Sequence, residues 1–133
     1  MCECKEQHNA RIKAVLGTSE ALITEYETQS KNRSKVEGEL EALQDETNLV
    51  RWKTQQNIAL ERGEDGKARY TNQEARDIAL ELNLRQNEGF QQLKQSLALK
   101  KAELDFIKMQ LDFLPRRIRF KEMELKGLEM WRY

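Results

Sequence analysis

The chain has 133 residues, 35% of them charged, with 23 Lys plus Arg balanced against 23 Asp plus Glu. Zero net charge argues against a protein that blankets nucleic acid, because that task needs a basic footprint. No apolar run exceeds three residues, whereas a membrane-spanning helix needs roughly 20, so no membrane partner is expected.

Ala, Glu, Lys, Leu and Arg make up 68 of the 133 residues, the composition of long helices and coiled coils. The length supports one domain. Residues 1–7 read as a frayed N-terminus. Cys2, Cys4 and His8 lie close together there, but a structural zinc site wants four ligands and no second cluster follows, so neither a metal nor any other cofactor is expected. Glu3, Glu6 and Glu20 with no apolar core argue against a secretory signal. Together with two unpaired cysteines they point to a reducing, cytoplasmic location.

A first long helix is expected over residues 8–61. Alternating steps of three and four run Ile12, Val15, Ser19, Leu22, Tyr26, Gln29, Arg33, Val36, Leu40, Leu43, Thr47, Val50, Thr54, Asn57, and eight of these fourteen are apolar. A 3.5-residue repeat keeps one stripe facing a partner helix. Gly17 and Gly38 lie off this seam and weaken the helix by about 1 kcal/mol each relative to Ala. Trp52, beside the seam, is either a clamp on a neighbouring helix or an exposed docking residue.

A turn is expected over 62–71, where Gly63, Asp65 and Gly66 supply the signals. Thr71 and Glu74 have the spacing of a capping box for a short helix over 72–86. Asn87 is placed to cap a last long helix over 88–133, kinked at Pro115, which lacks the N–H that a helix interior needs. Its seam is Phe90, Leu93, Leu97, Lys100, Leu104, Ile107, Leu111, Leu114, Ile118, Lys121, Leu125, Leu128, and ten of these twelve are apolar. Phe106, Met109, Phe113, Phe120 and Met123 widen the apolar stripe beyond what one neighbouring helix covers.

Residues 1–66 hold 9 basic and 13 acidic side chains and residues 67–133 hold 14 and 10, so the halves attract if the chain doubles back. The fold expected is therefore all-α: an antiparallel coiled-coil helical hairpin, assembled into a dimeric helical bundle. A fold at residues 66–67 pairs Leu40 with Leu93, Val36 with Leu97, Tyr26 with Ile107 and Leu22 with Leu111, and sets Glu25 near Lys108 and Glu39 near Lys94. It also brings Arg33 level with Lys100, a polar layer that needs an acid such as Glu103.

Nothing in the chain matches a phosphate-binding loop, a metalloprotease helix or a nucleophile elbow, so no catalytic residue is named and no enzyme is expected. Partner binding by helix packing is expected instead, with Leu104, Ile107, Leu111, Leu114, Ile118, Phe120 and Trp131 as anchors. Arg116, Arg117, Arg119 and Lys121 flank that stripe. They either pair with acids of the first helix or contact phosphates, and nucleic acid is the less favoured partner.

The stretch Gly66-Lys67-Ala68-Arg69-Tyr70-Thr71-Asn72-Gln73-Glu74-Ala75-Arg76, then Leu82-Asn83-Leu84 and Glu103-Leu104-Asp105-Phe106, resembles small coiled-coil accessory proteins of phages and prophages. The likeness covers about residues 35–120, and its specific part is Lys-x-x-Tyr-[ST]-Asn-x-Glu-x-Arg. An Asp-Pro start to the last helix is common in that group, and this chain has Asn87-Glu88 in its place. The resemblance implies a role in phage recombination or replication, or an anti-defence role against a host nuclease complex of the anti-CRISPR kind. It implies a larger host or phage protein as partner beside a second copy of the chain. A purely structural oligomerisation scaffold is the third reading.

Overall fold

The computed structural model describes the backbone of residues 2–130 and the side chains of residues 4–130. The described residues are all-helical, with α1 (Cys2–Leu60), α2 (Gln73–Gln86) and α3 (Glu88–Met130). The N-terminus is helical from Cys2 where fraying to residue 7 is expected. No Gly or Pro interrupts residues 2–8, and Glu6 places negative charge near the end where the helix dipole is positive.

Two polar residues on the α1 seam, Thr47 and Thr54, are satisfied within their own helix. The Thr47 hydroxyl donates to the Leu43 carbonyl at 2.7 Å and that of Thr54 to the Val50 carbonyl at 2.8 Å. A hydroxyl bonded to the preceding turn can be buried without an orphaned donor, and Thr47 is buried.

Between α1 and α2 the chain makes a tight loop. Gly66 sits at φ +78°, a left-handed conformation that favours glycine. The Gly63 amide donates to the Lys67 carbonyl, and the Lys67 amide donates to the Asp65 carboxylate. Arg62 and Ala68 form an isolated antiparallel bridge. The cap of α2 falls one residue later than the expected capping box: the Asn72 side chain accepts from the Ala75 amide at 2.7 Å, and Thr71 is exposed. Asn satisfies an orphan amide of the first turn at least as well as Thr. Asn87 ends α2 with an extended backbone, and its side-chain oxygen accepts from the Phe90 amide at 3.0 Å, capping α3 as expected.

The chain divides into two compact units, one made of residues up to Lys35 and from Leu104 onward, the other of Val36–Glu103. In the Val36–Glu103 unit, Ile58, Ala79, Leu80, Leu84 and Phe90 form a buried cluster with Val50 and Tyr70 packed against it. The guanidinium of Arg51 lies 5.8 Å from the centre of the Phe90 ring and the Lys94 ammonium 5.9 Å from it, within cation–π range. Arg51 also approaches Glu81 at 3.6 Å, so α2 and α3 share one α1 side chain. Lys100 pairs with Glu39 and Glu103. Glu39 thus meets a residue six places further along α3 than the Lys94 expected of a simple fold at 66–67. The cause is α2, which packs on the end of α1 as a separate element and displaces the start of α3.

In the other unit, Val15 and Leu22 of α1 and Leu104, Ile107, Leu111 and Leu114 of α3 are buried. Helix α3 runs through Pro115 to Met130. Pro115 is exposed, and it leaves the Leu111 carbonyl without its helical donor.

Candidate interaction surface

Successive helical residues turn by about 100°. Leu104, Ile107, Leu111, Leu114, Ile118 and Lys121 therefore fall on one stripe of α3. Phe106, Met109, Phe113, Phe120 and Met123 repeat the same three-and-four spacing two positions later and fall on the opposite side. The burial pattern follows this division. All of the first set are buried or half-buried, and the second set is between 49% and 66% exposed.

The expected anchors divide accordingly. Leu104, Ile107, Leu111 and Leu114 are covered by the chain's own packing and offer no surface to another molecule, and Ile118 is half-buried. Phe120 is exposed. Trp131 lies outside the described residues. The apolar surface left open on α3 is the second stripe, which reads in sequence as a widening of the first and is in fact a separate seam. The signal that distinguishes them is the two-residue offset, which at 100° per residue carries a side chain most of the way around the helix.

The basic cluster does not make one patch. Arg116, Arg117, Arg119 and Lys121 spread over about 200° of helix circumference. Lys121 is half-buried and pairs with Glu124 at 3.1 Å, and the two line a groove with Arg11, Val15 and Leu128. Arg117 lines another groove with Glu25, Gln110, Leu114 and Phe113, so Phe113 borders the α1 side of its stripe while 54% exposed. Glu25, expected near Lys108, is thus grouped with Gln110 and Arg117.

Carboxylates raise the pKa of Lys100 and of Arg69. The Lys100 ammonium is raised above its ordinary pKa by its hydrogen bond to Glu39 first and by that to Glu103 second. The Arg69 guanidinium donates to Glu61 at 2.6 Å, and this bond raises its pKa further. Both pairs sit in the Val36–Glu103 unit, where one ties α1 to α3 and the other closes the loop that follows α1.

Cys4 is exposed and His8 half-buried, and among the described residues no three His, Cys, Asp or Glu side chains converge as metal ligands would. Trp52 is exposed, as are Leu49 on the same helix and Ile78 and Leu82 on α2. No described helix is long and apolar enough to cross a membrane. No family model matches the chain, and neither does any curated protein or solved structure.

Proposed function

We propose that this is a non-enzymatic, phage-type interaction protein in which α1 and α3 pair antiparallel and the outward stripe of α3 packs against a helix of another molecule. The observation that carries the reading is the row Phe106, Met109, Phe113, Phe120 and Met123, about half exposed or more at coiled-coil spacing. Large apolar residues scattered singly on a surface need no explanation, but five on one helix face, interrupted by Arg116 alone, mark an interaction site. The antiparallel pairing is supported by partner numbers that fall as those of α1 rise. Val15 shares a groove with Lys121 and Leu128, Glu25 shares one with Gln110, and Glu39 pairs with Lys100.

The occupant of the stripe is a second copy or a larger phage or host protein. In the setting suggested by residues 67–76, the leading role is an accessory to phage recombination or replication. The dispersal of the arginines around α3 favours contact with the protein part of such machinery over contact with DNA, and the same observation admits an inhibitor that occupies a host nuclease complex.

The test is capture from host and phage lysate with the full chain and with an F113D/F120D variant that retains its helicity. A defined partner held by the first and lost by the second supports the reading, and the same partner held by both refutes it. DNA affinity that falls steeply with salt would move the function to nucleic acid.

A further inference from the structure

The outward stripe of α3 carries a pattern along its edge as well as along its centre. With Phe106, Phe113 and Phe120 at one core position of a heptad and Met109, Arg116 and Met123 at the other, one flank of the stripe holds Asp105, Asp112, Arg119 and Lys126 at seven-residue spacing. All four are exposed, as is Arg116. Two acids are followed by two bases, so the flank is the charge inverse of itself when its direction is reversed.

From this we infer that the stripe is covered by a second copy of α3 in antiparallel register. The inference rests on the reading of that stripe as the working surface and names its occupant. In an antiparallel pair the two core positions face each other across the seam, and like flanks meet. Phe106 then packs on Met123 of the second copy and Met109 on its Phe120, so both methionines of the stripe meet an aromatic ring, a favourable contact for the polarisable sulfur. Arg116 faces Phe113 of the second copy, where its guanidinium can lie on the ring. Along the flank, Asp105 meets Lys126 and Asp112 meets Arg119, each twice by symmetry. On the other flank, Gln110 meets Arg117. Glu124 falls opposite Glu103, and each of these carboxylates already has a lysine of its own chain, Lys121 and Lys100.

A parallel pair would stack Arg116 on its own copy in the middle of the seam, burying two unpaired cations. The area also suits a dimer. With about 200 Å² for each large side chain, the exposed fractions of the three phenylalanines and two methionines come to roughly 580 Å² per chain. Doubled across a twofold axis, that is about 1,150 Å², above the roughly 1,000 Å² that a specific interface requires.

The experiment is light scattering on the purified full chain, followed by sedimentation equilibrium on charge variants. The wild-type chain is expected at twice its 15.7 kDa mass. F113D is expected at the monomer mass with unchanged helicity. D112R sets like charges against Arg119 twice and should weaken the dimer about tenfold. D112R/R119D should restore it, whereas D112R/R117D should not. A monomeric wild-type chain, an F113D dimer, or rescue by R117D in place of R119D would each overturn the inference. The first of these leaves the broader reading standing, since capture of another partner by the same stripe is read separately.

Discussion

Leu84→Ala is the sharpest probe of how α2 is held. A 14-residue helix is marginal in isolation, so α2 depends on what it buries. Its buried side chains are Ala79, Leu80 and Leu84, of which only the two leucines carry much apolar surface. Leu84 is 2% exposed and sits among Ile58, Leu80 and Phe90, whereas Leu82, two residues away, is 52% exposed. Truncating a buried leucine costs about 2.7–5 kcal/mol, the transfer free energy plus the cavity left behind. Taking about 3 kcal/mol, the equilibrium for undocking α2 shifts roughly 100-fold. Leu82→Ala loses little burial and exchanges one good helix former for a better one, so its effect should stay within about 0.5 kcal/mol. Amide hydrogen exchange resolved over residues 73–86 reads this opening directly. The expected result is about 100-fold faster exchange in L84A and near wild-type rates in L82A. Similar acceleration in both variants would refute the assignment of the buried face of α2.

Three further outcomes follow from local geometry. An added Cβ at Gly38 meets nothing within 4 Å, so Gly38→Ala should stabilise by about 1 kcal/mol and raise Tm by roughly 3–5 °C, measured by thermal melting. Gly66→Ala should destabilise by about 1–2 kcal/mol in urea denaturation, although its Cβ also has open space, because the +78° φ is strained for any L side chain. Lys100 has its pKa raised in the folded chain, chiefly by Glu39, so its contribution is complete below the ordinary lysine value and is lost as pH rises through the folded value. The urea midpoint of the wild-type chain should therefore fall relative to that of K100M above about pH 10.4. Parallel profiles for the two proteins across that range would show that the Glu39 pair does not stabilise the fold.

The helical seams were legible in the sequence because a 3.5-residue period reports directly which face is covered. All twelve positions of the α3 seam are buried or half-buried, and on the α1 seam only Tyr26, Arg33 and Asn57 are exposed. The alignment of one seam with the other was not legible. A heptad pattern displaced by about one repeat places apolar layers on apolar layers almost equally well, so periodicity alone cannot distinguish Glu39 opposite Lys94 from Glu39 opposite Lys100. The loop and the docking of α2 decide it, through off-seam side chains such as Arg51 and Ile58 that pack with or against Phe90 and carry no periodic signal of their own. The exposed stripe was visible as residues and was assigned to the wrong side of α3, because Phe106 and Met109 lie next in sequence to the buried Ile107 and Leu104 seam but not next to it on the helix.

The separation of the two α3 faces makes a prediction that each face tests against the other. Leu111 is 8% exposed and Phe113 is 54% exposed, two residues apart on one helix. Leu111→Asp removes a buried apolar side chain and puts an unpaired carboxylate in its place, which costs more than the 2–5 kcal/mol of simple truncation. An ordinary domain has about 5–15 kcal/mol of stability in all, so this substitution should unfold much of the unit that Leu111 helps to hold. Phe113→Asp places its charge in water and should cost the isolated chain about 0.5 kcal/mol or less. Far-UV circular dichroism at one concentration should therefore show a large loss of helicity in L111D and none in F113D, while light scattering shows a change of assembly in F113D without a change of fold. Equal loss of helicity in the two variants would mean that both faces of α3 serve the same packing, and the outward stripe would then have no surface to offer a partner of any kind.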